Sequence, residues 1–312
     1  MARVAMRLRV IATACAVAVL AATGLGGCSL FTPPLSEAPA VEKNTQVIED
    51  SYLVTPGTLT VAMDTSDAPQ AMVLTEGVEG YDVDVACALA ENMGLELAVV
   101  SGTSAESTVG AGTADLYLGA ETTDAAEGIT VSGVYLENAT AVFGTSDAAS
   151  LSAADLAAAT VAVQDGSASQ EALVRSAIGA TQSTYSNVNA CFDALASGEV
   201  DYVVCDATAG AYLARAYPGV SFEGTLSSST AYGLAIASDA HELSDAVSSA
   251  LDEISSDGTL DAVHTVWYGT MPFSLSDTVV SGVTISASTD ATQAQDEAAE
   301  DGESLDSLNS LD

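Results

Sequence analysis

Short apolar runs recur along the middle of the chain, separated by longer stretches whose apolar residues lie three and four positions apart. The first pattern predicts strands and the second predicts helices. The predicted strands cover 59–63, 95–100, 115–119, 141–143, 160–163, 201–205 and 232–236. The predicted helices cover 81–92, 153–159, 169–178, 188–197, 207–216, 241–255 and 259–266. This alternation indicates an α/β protein with βαβ units on mostly parallel sheets, in two sets that meet near residue 145.

The two ends of the chain lack this alternation. Residues 1–27 combine three arginines with an apolar run over 10–20 that is too short to span a bilayer stably, which predicts a secretory signal. Residues 28–56 are rich in Pro, Ser, Thr and Glu and predict a flexible tether. Residues 271–312 are acidic and rich in Ser and Thr, with one apolar patch at 279–285, and predict a disordered tail.

The charge balance excludes several classes of partner. The chain has 6 Lys and Arg against 43 Asp and Glu, a formal net charge of −37. Removal of the signal leaves only Lys43, Arg175 and Arg215 as cations. Nucleic acids and polybasic membrane contacts are therefore excluded, because both need a basic surface.

Cysteine and histidine give no sign of a metal or cofactor site, since their spacing matches no ligand pattern. Cys191 and Cys205 are compatible with a disulfide, although two buried thiols are the simpler interpretation. We expect His241 and His264 on the surface. The sequence contains no nucleophile elbow, phosphate loop or His-carboxylate metal motif, so we expect no enzyme.

The signal ends in Leu25-Gly26-Gly27-Cys28, which resembles the lipobox of bacterial lipoproteins. This resemblance implies cleavage before Cys28 and lipidation of its thiol. The mature protein would then lie outside the cytoplasmic membrane, on the outer face of the cell membrane, and would contact that membrane through the lipid anchor only.

A series of motifs between residues 57 and about 270 resembles the polar amino acid solute-binding proteins of ABC importers, known as extracellular solute-binding protein family 3. The motifs lie at 57–61, 80–85, 112–115, 122, 132–135, 161–167, 194–206, 232–236, 257–260 and 267–269. Among them are a Gly-aromatic-Asp-x-Asp helix start at 80–84 and a Ser-x-x-Tyr stretch at 132–135. Each motif alone is weak, but their order matches that of the family.

The resemblance implies the two-lobe periplasmic-binding-protein-like class II fold, in which a mostly parallel sheet flanked by helices forms each lobe. Lobe 1 would comprise 57–144 and 232–270, and lobe 2 would comprise 145–231. Two crossovers, expected near 142–147 and 230–234, would join the lobes. The implied protein is a monomer that binds an amino acid or related amine and delivers it to an ABC permease, with hinge closure around the ligand.

Ligands of open α/β sheets bind at the carboxyl ends of strands. Here those ends carry Asp64, Glu121 with Thr122, Asp206, and a loop that contains Gly166, Ser167 and Ser169. By the resemblance Asp206 holds the ligand's α-amino group, although its position also suits a helix N-cap. The loop offers hydroxyls and helix N-terminal amides to a carboxylate. For Ser167 and Thr122, loop solvation and ordinary capping remain open.

One departure from the family bears on the ligand. The family normally has an arginine after the threonine-rich turn that clamps the ligand's carboxylate, whereas this chain has Ala125 or Glu127 there. No Lys or Arg occurs from residue 44 to 174. Because Glu121 and Asp124 also lie near the expected mouth, the sequence favours a cationic or amine ligand. A weakly bound zwitterion, held only by dipoles and hydroxyls, remains open. The alternative function is a sensory or interaction lipoprotein with a degenerate pocket.

Overall fold

The computed structural model describes residues 44–75, 77–124, 126–145 and 151–283. The expected signal, Cys28, the first part of the tether and the acidic end beyond 283 lie outside the described residues. Within the described ranges, no helix combines the length and apolarity needed to cross a membrane.

Lobe 1 is built on a five-stranded sheet in the order β4-β1-β5-β12-β6. Its parallel strands β1, β4 and β5 are joined by β12, which runs antiparallel to β5 and to β6. The strands are β1 Thr58–Met63, β4 Glu96–Ser101, β5 Leu116–Glu121, β6 Ile129–Asn138 and β12 Thr230–Ala237, with a separate hairpin of β2 Met72–Leu74 and β3 Gly77–Glu79. The helices are α1 Tyr81–Asn92, α2 Ala105–Thr108, α7 His241–Ser256 and α8 Thr259–Tyr268.

Lobe 2 has a second five-stranded sheet in the order β11-β7-β10-β8-β9. Strands β8, β9 and β10 are parallel, and β7 pairs antiparallel with β10 and β11. The strands are β7 Thr140–Gly144, β8 Thr160–Gln164, β9 Thr181–Tyr185, β10 Tyr202–Asp206 and β11 Ser221–Thr225. The helices are α3 Ala153–Ala157, α4 Ala168–Arg175, α5 Val188–Ser197 and α6 Ala207–Ala214.

The crossovers between the lobes lie at slightly different positions from those expected. Strand β6 ends at Asn138 in the lobe 1 sheet and β7 begins at Thr140 in the lobe 2 sheet, so the first crossover is at Ala139. The expected position near 142–147 instead falls on and after β7. The second crossover spans 226–229, just before β12.

The last part of the expected tether is folded against lobe 1. Ile48 and Leu53 are buried, and the Val47 N–H donates to the Met93 carbonyl at 3.1 Å. The buried carboxylate of Asp115 accepts hydrogen bonds from the backbone N–H groups of Val54 and Thr60, both at 2.7 Å. The prediction of a flexible tether is therefore wrong for 44–56, because enough apolar side chains are present to pack.

The beginning of the expected disordered tail is also ordered. Met271, Leu275 and Val280 are buried, and Leu275 is fully inaccessible. The N–H of Val280 donates to the carbonyl of Thr225, and the N–H of Thr225 donates to the carbonyl of Thr278. Residues 278–280 therefore dock on the edge strand β11 of lobe 2, whereas the Leu275 N–H donates to the Glu137 carboxylate of β6 in lobe 1 at 2.7 Å. The prediction of disorder from residue 271 is wrong for 271–283.

Two of the three thiols in the described residues, and the second histidine, are buried. Among the described residues Cys87, Cys191 and Cys205 are free, and the latter two are buried. His264 is buried against the rings of Tyr81 and Tyr268, so its expected surface position is wrong. Burial lowers the pKa of His264 to about 4, although Asp261 opposes the shift, so the imidazole is neutral at pH 7.

Candidate functional site

Two adjoining cavities lie where the carboxyl ends of the strands face the cleft. The interlobe cavity has a volume of about 330 Å³ and is lined by both lobes. The lobe 1 cavity has a volume of about 380 Å³ and is lined by lobe 1. Gly119 and Tyr232 line both, so the cavities share a boundary. The polar side chains around the interlobe cavity are Asp67, Gln70, Asp82, Tyr135, Asn138, Asp206 and Tyr232.

Asp206 is held at the cavity wall by donors from both lobes. It is the last residue of β10 and the N-cap of α6, so its Oδ1 accepts hydrogen bonds from the Ala209 N–H at 3.0 Å and the Thr208 hydroxyl at 2.7 Å. Its Oδ2 accepts from Nδ2 of Asn138, the last residue of β6, at 2.5 Å. The capping position and the cavity position expected for Asp206 thus occur together, and the helix fixes the carboxylate's orientation.

Asp82 is a nearly inaccessible carboxylate, only 3% exposed, in the first turn of α1. Its Oδ1 accepts a hydrogen bond from the Tyr135 hydroxyl at 2.9 Å. Burial raises the pKa of Asp82 to about 7, the bond from Tyr135 opposes the shift, and repulsion from Asp67 adds to it. Near neutral pH this carboxyl is therefore divided between its protonated and ionised forms.

The electrostatic field in the cleft is negative. Asp67, which is exposed at the mouth, has a raised pKa because its cavity side loses hydration and because Asp206 and Asp64 repel its charge. Burial, followed by the charges of Glu121 and Asp206, raises the pKa of Tyr232 to about 12. Among the described residues that line the two cavities, none is Lys or Arg.

A buried hydrogen bond connects the lobes beside the interlobe cavity. Gln70, in the loop after β1, donates from Nε2 to the hydroxyl of Thr208 in α6 at 2.8 Å. The same Thr208 hydroxyl donates to Asp206. The two lobes and the carboxylate at the cavity wall therefore share one chain of hydrogen bonds.

The family is decided by a match to the model of the bacterial extracellular solute-binding proteins, family 3, over residues 59–270. This chain belongs to that family. The match covers both sheets and both crossovers described above, and it confirms the expected resemblance and the two-lobe fold class. Each five-stranded sheet is mixed, with two parallel and two antiparallel strand pairs, so the expectation of mostly parallel sheets is wrong. A search of curated proteins finds no match.

Solved structures similar to this family 3 chain share its two-lobe fold. An ancestral cationic amino acid solute-binding protein is 27% identical, with a TM-score of 0.56 over 68% of this chain and 96% of that chain. The L-cystine solute receptor of Neisseria gonorrhoeae in its unliganded open conformation is 22% identical, with a TM-score of 0.59 over 70% and 95%. Substrate-binding domain 2 of GlnP from Lactococcus lactis is also 22% identical, with a TM-score of 0.59 over 69% and 97%.

The site residues expected from the sequence divide between the cavities and their surroundings. Asp206 lines the interlobe cavity and Glu121 lines the lobe 1 cavity. Thr122 is exposed and lines neither cavity, and its N–H donates to the Ala231 carbonyl at 2.9 Å. Asp64 also lines neither cavity. Its Oδ1 accepts hydrogen bonds from the hydroxyl and N–H of Ser66, which lower its pKa.

The loop expected to bind a carboxylate uses some of its donors and acceptors in hydrogen bonds within the loop and the first turn of α4. The Gly166 N–H donates to Oε1 of Gln170 at 2.8 Å, and the Ser167 hydroxyl accepts from the Gln170 N–H as the N-cap of α4. Gly166, Ser167 and Ser169 line neither cavity. This arrangement agrees with ordinary capping, the alternative left open for Ser167.

The position of the family's arginine contributes no cation here. Glu127 is exposed in the turn before β6, and Ala125 lies outside the described residues. Arg175 forms an exposed pair with Glu171 at 3.4 Å, and Arg215 lies over the Tyr212 ring at 5.7 Å. Neither arginine lines the interlobe cavity or the lobe 1 cavity.

Sequence reasoning missed most of the side chains that surround Asp206. Asp67 and Gln70 lie in the loop after β1, and the carboxyl end of that strand was a usable signal for them. Asp82 and Tyr135 belong to two recognised family motifs, but nothing in those motifs showed that they face a cavity. Asn138 could be recognised as a cavity residue only from the crossover that follows β6.

Proposed function

We propose that this protein captures an amine-bearing small molecule, an amino acid or a related amine, in the interlobe cavity. The observation that carries the proposal is the presence of Asp67, Asp82 and Asp206 around one cavity whose described lining has no basic side chain. An ammonium group would neutralise carboxylates that otherwise repel one another. The similar ancestral protein, at 27% identity, is described by its name as binding cationic amino acids, which supports a cationic ligand.

Asp206 is our candidate for the contact with the ligand's ammonium group. Three hydrogen bonds orient its carboxylate before any ligand arrives, which reduces the entropy lost on binding. The ligand's carboxylate, if it has one, would meet no arginine, and the amides near Gly166 are already engaged. We therefore expect the ammonium group to supply most of the recognition.

We further propose that the protein is a lipoprotein anchored through Cys28 on the outer face of the cell membrane and that it delivers its ligand to an ABC permease as a monomer. The anchor is supported by the order of charge, apolar run, small residues and cysteine in 1–28. Cys28→Ala should release the protein from membranes or leave it unprocessed. Acyl labelling that persists in this variant would refute the anchor.

A thermal-shift screen of amino acids and their decarboxylated amines tests the ligand class, because a ligand that binds the native state raises its melting temperature. Calorimetry on each binder then compares the parent with Asp206→Asn, which retains the cap and shape but removes the charge. A hydrogen bond to a charged group contributes about 1.5–3 kcal/mol, so affinity should fall by roughly one to two decades.

The same calorimetry compares an amino acid with its decarboxylated analogue, for example leucine with isoamylamine. We expect similar affinities because no arginine interacts with the carboxylate. A hundredfold weaker analogue, about 2.7 kcal/mol, would contradict the proposed ligand class. If no amino acid or amine binds, the sensory or interaction lipoprotein with a degenerate pocket becomes the better function.

A further inference from the structure

The distribution of carboxylates over both cavities narrows the ligand further, provided that the proposed function is correct. Each cavity is already within the usual size range of a small-molecule site, about 300–1,000 Å³. The interlobe cavity presents Asp67, Asp82 and Asp206, and the lobe 1 cavity presents Glu106, Glu121 and Asp124. A ligand with one ammonium group could neutralise the carboxylates of only one cavity.

Asp82 lines the interlobe cavity beside the boundary that it shares with the lobe 1 cavity. It is 97% buried, and its Oδ1 accepts from Tyr135, whereas its Oδ2 accepts no hydrogen bond from the described residues. A Cβ added to Gly119 would lie 3.7 Å from this Oδ2, and Gly119 lines both cavities. This carboxylate oxygen, to which no described residue donates, therefore lies beside the shared boundary of the two cavities, where an ammonium group of a ligand could donate to it.

The boundary also offers surface for an aliphatic linker. Tyr232 lines both cavities and Tyr117 lines the lobe 1 cavity next to Gly119. Tyrosine rings pack against methylene groups and attract cations through their faces. Carboxylates in both of the cavities that share this surface suit a chain in which ammonium groups are joined by short methylene segments.

We propose that the ligand is a linear aliphatic polyamine that spans both cavities, with one ammonium group near Asp206, one near Asp82 and a further group among the carboxylates of the lobe 1 cavity. Such a ligand has no carboxylate. It differs from an amino acid in that its affinity depends on carboxylates of both cavities.

The test is a calorimetric series of butylamine, putrescine, spermidine and spermine at about 0.15 M salt, where long-range attraction to the acidic surface is largely screened. We expect spermidine to bind at least tenfold more tightly than butylamine. Glu121→Gln should weaken the binding of spermidine about three- to tenfold and leave the affinity for butylamine unchanged. Asp206→Asn should weaken the binding of both amines. Asp82→Asn should weaken putrescine and spermidine at least tenfold.

Glu127→Gln is the matched control, because Glu127 is exposed nearby, lines neither cavity and loses the same charge. Circular dichroism and melting temperature confirm that each variant is folded. Equal losses for Glu121→Gln and Glu127→Gln would overturn the inference and assign the affinity to general attraction. Butylamine that binds as tightly as spermidine, with both lost in Asp206→Asn, overturns the inference but leaves the proposed function intact. If no amine or amino acid binds, both fail.

Discussion

Asp82→Asn should make the ligand-free protein more stable at neutral pH. The side chain is 3% exposed and carries a carboxyl whose pKa is raised from 3.8 to about 7. The groups that interact with it are the Tyr135 hydroxyl, which donates to it, the Asp67 carboxylate, and the neutral phenols of Tyr81, Tyr117 and Tyr268, whose pKa values are raised by burial and further by its charge. Asparagine retains an acceptor for Tyr135 and removes the buried charge.

The magnitude follows from the difference between the folded and unfolded pKa values. Between pH 4 and 7 the unfolded chain has already lost the Asp82 proton while the native state keeps it, so the native state binds more protons. The free energy of unfolding therefore falls as pH rises through this window, by about 1.4 kcal/mol per pH unit from this group. The accumulated loss at pH 7 is about 4 kcal/mol as an upper bound, and above pH 7 it stops growing because the native carboxyl is also ionised.

Urea unfolding of the parent and Asp82→Asn at pH 5, 6, 7 and 8 measures this difference without ligand. The free-energy gap between the two proteins should widen by about 2–3 kcal/mol from pH 5 to 7 and then level off. For a protein of this size that corresponds to roughly 4–12 °C in melting temperature. Glu79→Gln, at an exposed carboxylate, serves as the control. The difference in unfolding free energy between the parent and Glu79→Gln should stay constant over this pH range. Parallel curves for parent and Asp82→Asn would show that the carboxyl is ionised throughout and refute the reasoning.

Three further changes test other parts of the structure. Leu275→Ala should lower the free energy of unfolding by about 2–5 kcal/mol, measured with urea, because Leu275 is fully buried. Asp277→Ala, at an exposed position nearby, should lower it little. Equal small effects of the two substitutions would mean that 271–283 does not dock. Asp115→Ala should cost roughly 2–5 kcal/mol because the N–H groups of Val54 and Thr60 lose their acceptor; an unchanged unfolding midpoint would contradict the attachment of 44–56. Gln70→Ala removes the donor to Thr208 across the lobes and should increase the radius of gyration in solution scattering; identical scattering would show that this bond does not hold the lobes together.

The sequence predicted the interior of the fold better than its edges. Helices 81–92 and 188–197 were predicted at their observed bounds, and the second is delimited by an Asn187 cap and by Gly198 in the left-handed conformation. Five strands were missed: β2 and β3 form the separate short hairpin, and β6, β9 and β11 lie at sheet edges, where few side chains must be apolar. Strand β9 has no buried residue at all, so no hydrophobic pattern marked it.

The candidate site shows the same division between local and tertiary signals. Asp206 could be found because a strand end and a helix start are local features. Asp82 and Asp84 lie two positions apart on a predicted helix, and this spacing does not place them on one face. The structure agrees on that point, since Asp84 accepts a hydrogen bond from Trp267 while Asp82 faces the cavity. The sequence did not show which of the two faces would meet the cleft, because that depends on how α1 packs against β5 and β6.

The ends of the folded body were misjudged for a related reason. Composition alone predicts disorder where a segment must build its own core. Leu275 and Val280 build none, and instead pack into two clusters of buried side chains that the folded lobes already provide. Ile48 and Leu53 do the same for lobe 1. A few apolar residues suffice when the partner surface exists.

The hydroxyl of Thr208 has a consequence for how long a ligand stays bound. It accepts from Gln70 of the opposite lobe and donates to Asp206, so separation of the lobes removes the partner that fixes this hydroxyl toward the carboxylate. A neutral hydrogen bond of this kind contributes only about 0.5–1.5 kcal/mol net, so its rupture is frequent on the timescale of domain motion. We therefore expect the dissociation rate, more than the association rate, to respond to Thr208. A binding protein whose contact with the ligand weakens as its lobes separate is suited to releasing that ligand on opening.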